Sequence, residues 1–458
     1  MVRWKTMACF MAAALGVEAC GDSESADSDL GTDFSSTGSS STITDPTTGS
    51  SPVDPPEEPA RPDPSLCAAE NRAPAHPSVL FDIELHCSDF ALGHDGVSVT
   101  SDDQHAFVST SHGRASAIFV VDETGATALP QPWANFRAGA SFALHPDGTL
   151  LIPDESATGS GERRFELWEY DSGWTHETLF LTEGREDIVG FDVSGSRMDL
   201  WLSHPDSTIE RRSSDQDWAP GPVDPPAVTW AFGLDRDGEP LAASSVGVGA
   251  DGWSLMLDGA PVYTASGAAP RSLWLAQDPK PLEEDAPRAV VMTGEPETLR
   301  LHRSGNSDLA LPNTARAPWS CPDLQCDESC FEDGSGRLGD SAALGRTADA
   351  TIWGAYVHVE LSLLLVQEPP DMCASVGSCE CQREIGRDET DIELRLVGVR
   401  PDDTVIPSVT LTDLDLRVYG SEFDTLLEMS ASANRLAIVA RAGRDGLRVL
   451  MVDPSVVN

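Results

Sequence analysis

Basic charge is scarce in this chain. Across 458 residues, 30 Lys and Arg stand against 75 Asp and Glu, a formal net charge of −45. A surface so acidic repels phosphate backbones and anionic lipid headgroups, which argues against a nucleic-acid partner. Cationic ligands and Ca²⁺ are the species it admits. Lysine is nearly missing: after Lys5 only Lys280 occurs, so the basic side is almost wholly Arg. Catalytic signatures are missing as well. There is no HExxH zinc motif, no G-x-S-x-G nucleophile elbow and no Arg-rich cluster of the sialidase kind. Helical periodicity is scarcely visible after residue 65, which leaves β-structure to build the fold.

The chain begins with Arg3 and Lys5 before an apolar stretch, Met7 to Val17, that ends in Val17-Glu18-Ala19-Cys20. That stretch is about half of the ~20 residues needed to cross a bilayer as a helix. A basic start, a short apolar run and a small residue before the cut predict a removable signal peptide over 1–19. From Gly21 to Ser65 the chain is almost entirely Gly, Asp, Ser, Thr, Pro and Glu, with Leu30, Phe34, Ile43 and Val53 as its larger apolar residues. Such a segment cannot bury enough apolar surface to offset its ordering entropy, so 20–65 is expected to be a disordered tether. As a flexible coil it would span about 35–40 Å.

Leu15-Gly16-Val17-Glu18-Ala19-Cys20 resembles the lipobox of bacterial lipoproteins, in which the Cys is diacylated and becomes the mature N-terminus. Ala19 and Val17 match that pattern and Glu18 departs from it. The Ala-Cys-Gly-Asp-Ser junction with its Ser/Thr/Asp/Gly/Pro spacer is similar to predicted lipoproteins of myxobacteria and related Gram-negative bacteria. The resemblance implies a lipid on Cys20 and an outer-membrane location facing the periplasm or the cell surface. It covers only the first 65 residues or so and implies nothing about activity. Cleavage without lipidation, giving a soluble secreted protein, is the alternative.

Roughly 390 residues follow, more than one ordinary core holds. Seven times, an apolar-alternating segment meets a polar turn and a second β-type run: Val97 to Val108, Ser141 to Ile152, Val189 to Leu202, Val228 to Leu241, Ser272 to Leu275 with Arg288 to Met292, Ala342 to Val357, and Leu427 to Val439. Period-two alternation marks half-buried strands, and the Asp-Gly and Ser-Gly turns mark tight hairpins. A second, weaker hairpin follows most of these units. A four-stranded unit every ~40–50 residues is the sequence form of a β-propeller blade. The last unit has a third strand, Leu447 to Val452, and no clear fourth, whereas Val79 to Leu85 precedes the first unit without a partner. The expectation is therefore an all-β domain over 66–458: a single propeller of seven four-stranded blades closed by an N-terminal strand. Two β-sandwich domains are the alternative. Trp201, Trp230, Trp274 and Trp353 fall on predicted inner strands and are assigned to packing between blades.

Of ten cysteines, Cys9 leaves with the signal and Cys20 takes the lipid. The remainder, in an exported protein, implies disulfides. Cys67 and Cys87 flank the closing strand and are expected to pair. Cys321, Cys326 and Cys330, then Cys373, Cys379 and Cys381, form two groups in insertions at about 312–340 and 369–391, which a propeller would place on one face. Three bridges would rigidify these polar loops. Thiolate ligation of Zn²⁺ by Cys373, Cys379 and Cys381 is the alternative.

Candidates for chemistry are thin. His358 and Glu360 share one face of a strand, and His86, Asp89, His94 and Asp95 lie near the entry to the first unit. Glu183, Glu186 and Asp187 crowd one loop and have the composition of paired carboxylates or Ca²⁺ ligands. In so acidic a chain chance accounts for such a cluster, and no catalytic residue is named. The resulting expectation is a non-catalytic envelope lipoprotein, a binding or scaffold module for a protein or glycan, without a resident cofactor. An extracellular hydrolase or lyase with a site in the propeller channel, and a Ca²⁺-stabilised adhesin, are the other readings.

Overall fold

The computed structural model describes residues 67–87, 97–112, 115–130, 142–158, 162–248, 252–270, 272–276, 282, 286–294, 298–305, 308–315, 329–367, 382–414, 426–442 and 446–457, all within the unit Arg61–Asn458. The expected signal peptide and the tether lie outside them.

Alternating sequence becomes strand almost throughout. Two strands come first, β1 (Cys67–Asn71) and β2 (Val79–Cys87). Blade 1 holds β3 (Val97–Ser101), β4 (Ala106–His112), β5 (Ala115–Asp122) and β6 (Gly125–Ala128). Blade 2 holds β7 (Ala143–Leu144), β8 (Leu150–Ala157), β9 (Arg163–Tyr170) and β10 (Trp174–Thr182). In blade 3 these are β11 (Asp187–Ser194), β12 (Arg197–Ser203), β13 (Ile209–Ser213) and β14 (Val223–Asp224). Blade 4 follows with β15 (Thr229–Leu234), β16 (Pro240–Gly247), β17 (Gly252–Leu257) and β18 (Ala260–Ser266). Blade 5 has β19 (Leu273–Leu275), β20 (Val290–Gly294), β21 (Leu299–Arg303) and β22 (Leu309–Ala310). Blade 6 has β23 (Ser329–Arg346), β24 (Ile352–Gln367), β25 (Gln382–Val399) and β26 (Val405–Asp413), and blade 7 has β27 (Leu427–Ala431), β28 (Leu436–Ala442) and β29 (Gly446–Val452).

Each sheet is an antiparallel meander, and its first strand touches the first strand of the next blade, from β3 round to β27 and back to β3. The fold is a seven-bladed β-propeller. Two β-sandwiches are set aside, because every sheet packs on two neighbours in a closed circuit. Seven apolar clusters make the core, one at each junction between blades.

This packing refines the expected alternation. The second strand of a blade is buried on both faces: Leu200 and Leu202 of β12 point towards blade 2, while Trp201 points towards blade 4. Such strands read as continuous apolar runs. Trp201 stacks on Phe232 of the next blade at 5.6 Å between centroids, and Trp353 is buried at the junction of blades 6 and 7.

The ring closes as expected. β2 pairs with β29 from Val79↔Val452 to His86↔Gly446, supplying the fourth strand of blade 7. Beyond it, β1 adds a fifth strand that sequence patterning does not announce. A buried charge pair fastens the seam. The Asp82 carboxylate accepts from Arg448 Nε at 2.7 Å and from Arg448 Nη2, and Thr412 Oγ1 of blade 6 donates to Asp82 Oδ2 at 2.8 Å.

Asp-Gly and Ser-Gly mark tight hairpins as expected at Asp258-Gly259, where Leu257 pairs with Ala260, and at Ser194-Gly195, where Ser194 pairs with Arg197. Four further connections, His145–Thr149, His204–Thr208, Thr347–Thr351 and Arg400–Thr404, share one five-residue turn that closes on Thr, and Asp235–Glu239 repeats its backbone pattern with Glu at the close. The first N–H donates to the fifth carbonyl, and the fourth N–H donates back to the first. In the four that close on Thr the third residue is Asp, and its carboxylate accepts from the N–H of that Thr. Their fourth residue takes a positive φ, satisfied by glycine only at Gly148, with Ser207, Ala350 and Asp403 at the others.

We call the end of each blade where its second and third strands join the upper face; chain passage to the next blade is on the same side. Blade 6 departs from the rest here. β23, β24 and β25 run for 18, 16 and 18 residues. Their outer parts stay in ladder register, from Ser329↔Val366 to Gln367↔Gln382. A three-stranded extension therefore rises about 20 Å above the ring, and 329–340 and 382–391 of the two Cys-rich segments are strand rather than loop.

Candidate functional site

The upper ends of blades 2 and 3 gather charged side chains from four chain segments. β10 ends at Thr182, the connection 183–186 crosses to blade 3, and β11 begins at Asp187. Gly184 lets that connection fold tightly: a Cβ there would lie 2.1 Å from Glu186 Oε1. Glu186 is consequently buried, and Thr182 Oγ1 donates to its Oε2 at 2.7 Å. The His204–Thr208 turn faces it. His204 Nδ1 lies 3.8 Å from Glu186 Oε1, and its Nε2 is 3.0 Å from Oε2 of Glu210, a buried residue of β13. Arg212 Nε donates to Glu210 Oε1 at 2.7 Å, and the Arg212 guanidinium sits 4.3 Å from the centroid of the Phe180 ring.

A second cation joins the two blades. Arg163 Nη1 is within 2.5 Å of Glu155 Oε1 and 3.1 Å of Asp187 Oδ1, and it donates to the Glu186 carbonyl at 3.0 Å. Burial, with the neighbouring Asp187 carboxylate adding to it, raises the Glu155 pKa above the usual carboxylate range against the pull of Arg163. Next to the His204 turn opens a shallow cavity of about 490 Å³ lined by His204, Pro205, Asp206, Thr208, Glu210 and Val223. Among the described residues no set of three His, Cys, Asp or Glu is arranged to hold a metal ion.

No protein-family model matches this chain. No curated protein matches it either. Solved structures do. Sqt1 from Chaetomium thermophilum is 12% identical with a TM-score of 0.37, covering 84% of this chain and all of that one. The β-propeller domain of the Trilobed protease from Pyrococcus furiosus is 6% identical with a TM-score of 0.38, over 78% of this chain and 92% of that one. The Dos1 propeller is 8% identical with a TM-score of 0.36, over 80% and 85%. Likenesses this distant carry no function across.

The structure separates the Glu183, Glu186 and Asp187 cluster: Glu183 is exposed, while the other two are engaged as described. Sequence spacing gave no reason to join them to His204, Glu210 and Arg163, which the meander brings in from elsewhere. His358 is buried, its Nε2 3.6 Å from the exposed Glu360; burial, then the Arg395 charge, lowers its pKa. His86 pairs with Glu84 at 2.8 Å, so it belongs to the closing strand. Asp89, His94 and Asp95 lie outside the described residues, as do Cys20, Cys321, Cys326, Cys373, Cys379 and Cys381. Cys330 stands opposite Leu365 in the β23–β24 register, and Cys67 opposite Cys87 in that of β1 and β2.

One further acid was missed by sequence reasoning. Glu428, on the first strand of blade 7, is open to water, yet protein crowds it at longer range. That desolvation alone pushes its carboxyl up to about 7.

Proposed function

We propose that this protein is a cell-envelope lipoprotein whose propeller is a binding or scaffold module, held through a lipid on Cys20 and the 20–65 tether, with its upper face turned to a protein or glycan partner. The observation that carries this reading is the blade 6 extension. Natural sheets keep exposed edges short because unpaired edges recruit other chains; no strand of the other six blades exceeds nine residues, against 16–18 for three strands of blade 6. Extending three strands of one blade well above the ring builds a surface that ring closure does not need. The chain also enters β1 at its upper end, since Cys67 pairs with Cys87 there. Disulfides between Cys67 and Cys87, and among Cys321, Cys326, Cys330, Cys373, Cys379 and Cys381, would hold these parts in the oxidising envelope.

The test is a comparison of the full chain with a variant in which 361–390 is replaced by an Asn-Gly turn. Quantitative capture from envelope extracts of the native host should fall for the trimmed variant; equal capture would remove the extension from the proposal. Mass spectrometry of the mature N-terminus checks the anchor, and an unmodified Cys20 sinks it. Peptide mapping without reduction reads the disulfides.

A further inference from the structure

We infer that Glu155, Arg163 and Asp187 form a pH-sensitive latch between blades 2 and 3, one that holds more tightly when Glu155 has taken up a proton.

Three strands supply the latch. Glu155 of β8 and Arg163 of β9 lie on the face of blade 2 that meets blade 3, in line with Phe165 and Leu167 of the junction core. Asp187 opens β11 on the other side of the junction. One guanidinium serves both acids: Arg163 Nη1 is 2.5 Å from Glu155 Oε1 and 3.1 Å from Asp187 Oδ1. It also donates to the Glu186 carbonyl at 3.0 Å, which ties the connection 183–186 to blade 2. Two ionised carboxylates on one cation leave a surplus negative charge, in a chain whose formal net charge is already −45.

The geometry favours removing that surplus with a proton. Glu155 Oε2 is shut off from water and has no hydrogen-bond donor among the described residues. An ionised oxygen left in that state is costly, and protonation relieves it. Burial is the main cause that lifts the Glu155 pKa. The Asp187 charge, and a hydrogen bond that only the protonated acid can donate to Asp187, add to it against the pull of Arg163. With Glu155 neutral, Arg163 and Asp187 are a balanced pair and all three groups are bonded to one another. On the surrounding elements, the Glu186 carboxylate is turned to Thr182 and His204, while Glu183 and Arg185 are exposed. Asp154, Arg164 and Glu166 alternate to the opposite face, towards blade 1. The folded state therefore keeps this proton to higher pH than the unfolded chain does. Its stabilising contribution is complete below the ordinary Glu range and is lost as pH rises through the folded pKa.

The test uses the full mature chain carrying Glu428→Gln, so that the blade 7 acid does not contribute. Carboxyl ¹³C resonances are followed from about pH 3 to about pH 8, with Glu155 assigned by its loss in Glu155→Gln. The Glu155 resonance should titrate above the ordinary Glu range, and Asp187→Asn should move that titration to lower pH. Over the same interval the melting temperature should fall more steeply in the parent than in Glu155→Gln, which keeps the hydrogen bonds of the protonated acid at every pH. Protection of the β11 amides, corrected for intrinsic exchange, should rise several-fold towards acid pH, while that of β29 at the seam stays level. His204 reports separately through its ring resonances. A Glu155 resonance that titrates in the ordinary range overturns the inference, and so does equal steepness in Glu155→Gln. A raised titration that Asp187→Asn leaves in place overturns it too, because burial alone would then account for the shift. Should Asp187→Asn fail to fold, the parent and Glu155→Gln still decide the matter.

Discussion

Two polar networks in this propeller each pair a carboxylate with an arginine, in different surroundings. At the seam, Asp82, Arg448 and Thr412 are buried between blades 6 and 7 and join the first strand of the ring to its last. At the top of blade 3, Glu186, His204, Glu210 and Arg212 border a cavity, with His204 partly open to water. A sealed charge pair resists being broken, because either partner left alone is a buried, uncompensated charge. A network beside a cavity can rehydrate when a member is lost, so its worth lies in what it presents outward. The difference is one of access: Glu186, Glu210 and Arg212 are buried as Asp82 and Arg448 are, but only the blade 3 network borders a cavity.

Removing the cation at the seam is the severest way to test that contrast. Arg448→Met leaves Asp82 unpaired and should cost about 3–5 kcal/mol, read as a fall in the denaturation midpoint. Adding Asp82→Leu to it should recover most of the loss; no recovery would mean that the pair's charge is not what fastens the seam. In blade 3, His204→Ala should cost only about 1 kcal/mol, since Thr182 and Arg212 still satisfy the two carboxylates. A loss as large as that of Arg448→Met would erase the distinction between the sites. Gly184→Ala is milder, under about 1 kcal/mol, because the obstructing atom is the tip of a flexible side chain. It should nonetheless move Glu186 off Thr182, seen as a shift of the His204 ring resonances with the seam unchanged.

The smallest effect concerns Glu428, the isolated acid of blade 7. Its folded pKa of about 7 lies above the ordinary 4.5, so the folded state keeps this proton to higher pH than the unfolded chain. The associated stability is present below about 4.5, declines as pH rises towards about 7 and is constant beyond. Glu428→Gln should flatten that part of the melting-temperature profile, and an unchanged slope would show that the carboxyl titrates normally.

Much of the ring was legible because its signal is local. Val97 to Val108 or Val189 to Leu202 alternate within a dozen residues, and the turn between their strands is written in the same stretch. Even closure was legible, since Val79 to Leu85 lacked a partner at one end and Leu447 to Val452 lacked one at the other. The five-residue geometry was not legible, because its signal is Asp-x-Thr, preceded by Pro in three of the four turns, and Asp-Gly occurs in only one of them. Asp82 and Arg448 lie far apart in sequence, so no spacing links them. The blade 3 site failed for the same reason: Glu186 sits in a legible acidic cluster, but its meaning depends on His204 and Glu210, which arrive through strand register. Of the blade 6 extension, Cys330 was visible and the strand carrying it was not, since Gly334, Ser335 and Gly336 have little β-propensity.

The entry of the chain at the upper end of β1 has a mechanical consequence. Tension on the segment before Cys67 would meet the proposed Cys67–Cys87 bridge first, which passes the load directly to β2 and leaves the rest of β1 out of the line of force. β2 in turn is held to the last blade by its ladder with β29 and by the Asp82–Arg448 pair. With the bridge reduced, the load would fall on the β1–β2 ladder, which opens from Cys67 towards Asn71 and gives slack while the ring stays shut.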